Sequence, residues 1–253
     1  PGIPIVYLGF GLLMIGVHKP GSGGTDARAP SCGPSELVSN HLAVLEAENI
    51  SRAVFAGHCS AGLYALKLAE RAGDRCAGVL LIDTGVPFEG RDDLMRLPKT
   101  LRRTMLPARF FPEILLVPHQ IFAANFKRSS EGEAQVVDYF FQEDARDRDL
   151  TRTDREYYEI TRRIIAYSFE DIDRLVADIS RWSQDWSRDL AANSERPIVF
   201  LHGEKNKLFP INRIQNVVET NPNMTLICVK DEAQLQLYRS PESFIEAVSA
   251  IPI

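Results

Sequence analysis

Apolar residues in this chain are arranged in two textures. Short, almost unbroken apolar runs occupy 3–8, 12–17, 53–56, 76–83, 198–201 and 224–229. Runs of that length without polar alternation predict strands covered on both faces, as in a parallel sheet. Between them the spacing turns helical. Leu37, Val38, Leu42, Val44 and Leu45 mark a helix over 35–48, Leu63, Leu66, Leu68 and Ala69 one over 61–72, and 241–251 reads as a closing helix. Strands alternating with helices in this way predict an α/β fold: an open, mostly parallel sheet flanked by helices.

From about 87 to 195 the texture changes. Charged residues become frequent, the periodicity is helical throughout, and no comparable strand run appears. The clearest element covers 171–186, with Ile172, Leu175, Val176, Ile179 and Trp182 on its apolar face. The expected organisation is a core made of 1–86 and 196–253 with a helical lid, 87–195, inserted into it. One break in the pattern stands out. Only Gly9-Phe10-Gly11 separates the first two apolar runs, whereas parallel neighbours need a crossover of about a dozen residues. Either the two runs are not a strand–helix–strand unit, or a segment is missing between Gly11 and Leu12; the second is the favoured expectation.

Candidate chemistry centres on Val54-Phe55-Ala56-Gly57-His58-Cys59-Ser60-Ala61-Gly62, which reads as strand, sharp turn and helix start. This segment resembles the nucleophile elbow G-x-S-x-G of the α/β-hydrolase superfamily, in its lid-bearing esterase and epoxide-hydrolase-like branch, with Cys59 at the nucleophile position and Ala61 for the second glycine. The resemblance extends over 3–8, 18–28, 53–86 and from 197 to the end, and is weak across the lid. It implies the α/β-hydrolase fold, an oxyanion hole from the backbone N–H groups of Phe10 and Ser60, and a binding pocket bordered by His58 and Leu8. It also marks departures. Where the family often has His-Gly after its first strand, this chain has Leu8-Gly9. Where it often has Asp-x-x-Gly-x-Gly-x-Ser, this chain runs from His18 to Thr25. The acid position of Gly203-Glu204-Lys205-Asn206 is an amide, Asn206. The histidine position, in the stretch from Ala233 to Pro241, holds Gln234.

A cysteine at a helix N-terminus is expected to have a lowered pKa and to attack an acyl group unaided. Deacylation needs a base, and Gln234 cannot take a proton; losing a triad histidine costs about 10⁶ in kcat in the subtilisin example. Ser60 is a competing nucleophile through Ser60-Ala61-Gly62, but it lacks the glycine two residues earlier. His58, His202, His18, His41 and His119 do not occupy the expected position and read as structural. Asp83, at a strand end, is an alternative acid. Gln234 and Asn206 are expected to hydrogen-bond each other and the Cys59 region. Phe110, Phe111, Phe122, Phe126, Tyr139, Phe140 and Phe141 read mainly as lid packing, with some pocket lining, and 143–155 as a solvated helix face or loop. Joint loss of acid and base points to a pseudo-hydrolase that binds or senses an apolar, acyl- or ester-like small molecule. The alternative is a Cys59-dependent esterase, thioesterase or acyl transferase. A pure interaction scaffold would show no enclosed pocket between lid and sheet.

Composition narrows the classes. The chain has 253 residues, 45% hydrophobic and 25% charged, with a net charge of -5. That balance offers no overall basic field for nucleic acid or an anionic membrane. No run approaches the roughly 20 apolar residues of a membrane helix, and 3–17 lacks the marks of a signal peptide. The cysteines, Cys32, Cys59, Cys76 and Cys228, include no C-x-x-C pair. Neither metal nor cofactor is expected, Cys76 and Cys228 read as core thiols, and a reduced cytoplasmic setting follows. The start at Pro1 fits a fragment or processed product with room for an upstream domain, and the lid offers a face for a homo-oligomer.

Overall fold

The computed structural model describes residues 5–8, 12–18, 25, 34–142 and 144–252. The chain divides into two compact units, Pro1–Ser51 and Arg52–Ile253. In the first, strands β1 (Ile5–Leu8) and β2 (Leu12–Ile15) pair antiparallel, Ile5 opposite Ile15 and Leu8 opposite Leu12. The two runs are therefore a hairpin, not the buried parallel pair that the unbroken apolar pattern predicts. Antiparallel pairing needs no long crossover, which removes the physical reason for a missing segment. Leu13 and Met14 are 45% and 42% exposed, against the expectation of core strands. Helix α1 (Pro34–Ala47) follows and buries Leu37, Val38 and Leu45. Gly9, Phe10 and Gly11 lie outside the described residues.

The second unit is built on a four-stranded parallel sheet of β3 (Ala53–His58), β4 (Cys76–Ile82), β5 (Ile198–Gly203) and β6 (Met224–Val229), in that spatial order. Every residue of β4 and β5 is buried, as the continuous apolar runs require of central strands. Helix α2 (Ala61–Ala72) packs on β3 and β4, while α11 (Ile211–Glu219) and α12 (Pro241–Ser249) pack on β5 and β6. This is the fold that the alternating pattern predicts. Cys228 corrects one detail: it is exposed, because β6 is an edge strand and its side chains are only partly covered.

Between β4 and β5 the described residues form eight α-helices, with a 3₁₀ turn Pro112–Leu115 between the second and third: α3 (Arg91–Met95), α4 (Lys99–Phe110), α5 (Leu116–Arg128), α6 (Ser130–Phe140), α7 (Ala145–Thr153), α8 (Arg155–Ser168), α9 (Ile172–Trp182) and α10 (Ser187–Ala191). They carry their own apolar clusters, one made by Ala123, Phe126, Val136, Val137, Ile165 and Phe169. Asp171 caps α9 by accepting from Arg174 N, and Asp144 caps α7 by accepting from the amides of Arg146 and Asp147. Helix α7 corrects part of the reading of 143–155 as a solvated helix face or loop: one face is solvated and the other is buried. Asp144, Asp147, Leu150 and Thr151 recur at helical spacing on a buried face, while Arg146, Asp149 and Arg152 face solvent. The aromatic set also divides: Phe126 and Phe141 are buried, but Phe110, Phe111, Tyr139 and Phe140 are exposed. No helix among the described residues is long and apolar enough to cross a membrane.

The close fit of α2 to β4 makes a test of the fold. A Cβ added at Gly62 would lie 2.4 Å from the hydroxyl oxygen of buried Thr84. That hydroxyl donates to the carbonyl of Cys59 at 2.9 Å, so it cannot withdraw without loosening the turn. Gly62→Val is expected to lower unfolding stability by about 2–3 kcal/mol, read as a lower urea midpoint at unchanged slope.

Candidate functional site

The corner between β3 and α2 is Cys59-Ser60, and Cys59 has φ 54°, in the left-handed region that disfavours a residue with a side chain. Such a conformation costs about 1–2 kcal/mol and persists because its surroundings hold it. The Cys59 amide donates to Ile82 O at 2.8 Å, and its carbonyl accepts from Gly62 N at 3.1 Å and from the Thr84 hydroxyl. Gly57 is required by close approach: a Cβ there would lie 2.5 Å from Ala61 O. Gly57 and Gly62 thus flank a turn in which β3 and α2 nearly touch, and the turn presents the cysteine side chain at the end of the sheet.

The sulfur is held by an amide. Gln234 Nε2 donates to Cys59 Sγ at 3.3 Å, and the Ser60 N–H also interacts with it. Burial pushes the thiol up to about 12, Asp83 adds to the rise, and the hydrogen bonds from Ser60 and Gln234 oppose it without reversing it. The lowered pKa expected from the helix N-terminus is therefore not found, because loss of water around the sulfur outweighs the favourable field of α2. Gln234 is fixed through its backbone on both sides. Its N–H donates to Asp147 Oδ2 at 2.9 Å, and its carbonyl lies 3.0 Å from His58 Nε2. His58 is accordingly the donor at Nε2. Its pKa is lowered by burial, and that ring edge is occupied by the backbone of Gln234.

Asn206 has a separate set of partners. Its Oδ1 accepts from Leu208 N and Phe209 N at 3.0 and 3.1 Å, and its Nδ2 donates to Asp83 Oδ1 at 3.1 Å. The expected Asn206–Gln234 pair is replaced by Asn206–Asp83 and Gln234–Cys59, because the Asn206 oxygen is already committed to its own loop. Asp83, fully buried at the end of β4 with φ 44°, also accepts from Gly203 N at 3.0 Å. Burial pushes its carboxyl up to about 8 despite these donors. His202 Nδ1 lies 3.5 Å from Asp83 Oδ1, while its Nε2 donates to Phe209 O at 2.7 Å. The Nε2–H tautomer leaves a lone pair on Nδ1 facing Asp83, and burial lowers the imidazole to about 4. Nearby, Gln236 is fully buried, and its side-chain amide also opposes the rise at Asp83.

The structure thus brings Cys59, Ser60, His58 and Gln234 together, with Asp83, Asn206 and His202 forming an adjoining buried polar group. Phe10 and the side chain of Leu8 lie outside the described residues. Sequence reasoning missed Asp147, which reaches from α7 to the Gln234 backbone and also accepts from Tyr157 at 2.5 Å. Burial pushes Asp147 up to about 6. The recurrence of positions 144, 147, 150 and 151 was the available signal. Two open clefts lie elsewhere, one of about 670 Å³ beside Val86, Arg96, Leu190 and Arg213, and one of about 600 Å³ beside Glu131, Asp138, Arg152 and Tyr158. Neither is lined by Cys59 or Gln234.

The sequence profile described as alpha/beta hydrolase family matches residues 9–204. Comparison with curated proteins gives no match. Among solved structures, the chain is similar to MGS-M2, an alpha/beta hydrolase enzyme from a Medee basin deep-sea metagenome library, at 12% identity and TM-score 0.63, covering 96% of this chain and 80% of that one. It is similar to a bromoperoxidase from Bacillus anthracis at 14% identity and TM-score 0.63, covering 95% and 82%. A thermophilic esterase from Thermogutta terrifontis, with malate bound, aligns at 18% identity and TM-score 0.61, covering 91% and 76%. At these identities the likeness is one of fold.

Proposed function

The chain belongs to the α/β-hydrolase family, and we propose that within it this protein binds a small apolar, acyl- or ester-like ligand without hydrolysing it. The observation that carries this reading is the amide on the sulfur, Gln234 Nε2 to Cys59 Sγ at 3.3 Å. Hydrolysis through Cys59 requires a group that accepts the thiol proton and later activates water. A primary amide does neither, whichever of its two ends faces the sulfur. A thiol pushed up to about 12 is ionised in roughly 10⁻⁵ of molecules at pH 7. What remains is a neutral turn with the Cys59 S–H as a donor, suited to orienting a ligand carbonyl. Gln234 Oε1, buried and without a partner among the described residues, adds an acceptor. In this reading 87–195 acts as the lid, and Asp147 ties α7 to the Gln234 loop.

The alternative, a Cys59-dependent esterase, thioesterase or acyl transferase, is favoured by the strained φ of Cys59, since such strain gathers at reactive sites. Intact mass after incubation with activated acyl esters and thioesters separates the two. Wild type is expected to show neither an adduct absent from Cys59→Ala nor steady product release, while a thermal-shift screen of acyl compounds finds stabilising ligands. Turnover that disappears in Cys59→Ala would overturn the binding reading and establish the alternative.

A further inference from the structure

We infer that α4, the 3₁₀ turn Pro112–Leu115 and α5 form a docking face for an anionic membrane surface. The face carries Phe110, Phe111, Ile114, Val117 and Ile121, each between 52% and 66% exposed. All three elements pack on α9, with Ala108, Leu115 and Leu116 gathered around Val176. Those inward residues fix the outward direction of the exposed ones. The apolar surface continues over α6, where Tyr139 stacks on Phe122 at 4.8 Å between ring centroids and both Tyr139 and Phe140 are exposed. Contiguous exposed apolar surface of this kind is unusual on a protein with no partner for it.

The charge around this surface selects the partner. On α4, Lys99 and Arg103 precede Phe110 by whole numbers of helical turns and share its side; on α5, Arg128 follows Val117 and Ile121 in the same way. All three cations are exposed, and none forms an ion pair among the described residues. Arg102 and Arg109 are occupied by the carbonyls of Met95, Phe88 and Ser183. Glu113 is the one carboxylate within 99–128. Of the carboxylates of the adjoining α6, Glu133 is turned to Tyr158 and Arg162 and Asp138 to Arg152, while the exposed Glu131 accepts from Gln135 at 3.4 Å. The net charge of -5 conceals this concentration, so the exclusion of anionic membranes from overall charge does not hold for this face.

An apolar ridge with cations at its outer ends matches the interface of an anionic bilayer. The side chains enter the acyl boundary while Lys and Arg meet the headgroup charges. A second copy of the chain fits less well, because a two-fold contact through this face would set its cations against each other. The docking face is independent of what Cys59 does.

The test is co-sedimentation of the full chain with vesicles of equal parts phosphatidylcholine and phosphatidylserine, and with phosphatidylcholine alone. The expected result is binding to the mixed vesicles only, released by about 0.5 M salt as charge screening requires. Two exposed variants, Arg103→Glu/Arg128→Glu and Phe111→Ser/Ile114→Ser, should each weaken it about tenfold or more with thermal midpoints near wild type. Equal binding to both vesicles, no binding to either, or binding that both variants leave intact would overturn the proposal. So would a dimer in sedimentation velocity that Phe111→Ser/Ile114→Ser dissociates while vesicles remain unbound, which would assign the face to a second copy.

Discussion

Gln234→His is expected to raise the rate at which activated esters acylate Cys59 by on the order of 10²–10⁴, the usual contribution of a positioned general base. The histidine Nε2 is the same number of bonds from the main chain as the Gln234 Nε2 that now sits 3.3 Å from the sulfur. The main chain is held in place from both sides, by Asp147 at the N–H and by His58 at the carbonyl. The new ring would therefore arrive within proton-transfer distance without rearrangement of its loop. The gain should be larger above pH 8, because Asp83, pushed up to about 8, only then carries the negative charge that favours an imidazolium. The measurement is adduct formation by intact mass against pH, with Cys59→Ala in the same background as the blank. A rate within a few-fold of wild type would mean that burial of the sulfur, and not the missing base, keeps Cys59 inert.

Much of this site was legible because it is local. Gly57, Cys59 and Gly62 fall close together where an apolar strand run meets an amphipathic helix, and that short-range pattern sets the backbone geometry. Strands β4 and β5 were equally plain, since continuous apolar runs are what burial on both faces demands. What failed depended on distant partners. The runs at 3–8 and 12–17 say that strands form but not which way they pair. The exposure of Cys228 follows from the place of β6 at the sheet edge, which strand order decides. Asp144 and Asp147 read as solvent-facing by residue type, and only the packing of α7 buries them. The titration of Cys59 went the opposite way from expectation because helix position is visible in sequence and desolvation is not. Asn206 and Gln234 do not pair with each other as expected, since each is claimed by a nearer group: Asn206 by its own loop and Asp83, Gln234 by the sulfur.

Asp83→Asn is expected to stabilise the protein, increasingly so as pH rises. An ordinary aspartate titrates near 4 in the unfolded chain, and Asp83 titrates near 8 in the folded one. A raised folded-state pKa contributes stability that is complete below about pH 4 and is lost as pH rises towards 8. Asp147, pushed up to about 6, acts in the same direction over the lower part of that range. His202, lowered to about 4, and His58, also lowered, act in the opposite sense, adding stability as pH rises to about 6.5. These contributions offset one another in wild type below pH 6.5, so the loss due to Asp83 stands clear between about 6.5 and 8, where it amounts to roughly 2 kcal/mol. The asparagine retains an oxygen for Gly203 N and Asn206 Nδ2 and tolerates φ 44° better than most residues. The stability difference between variant and wild type, from urea unfolding at successive pH values, should grow by about 1.4 kcal/mol per pH unit from 4 to 8 and then level. A difference that stays constant across that range would mean Asp83 is already ionised in the folded protein. It would then be a working acid beside the site, and the binding reading would lose part of its ground; a difference that climbs and levels near 8 leaves Cys59 with neither a base nor an ionised acid at neutral pH.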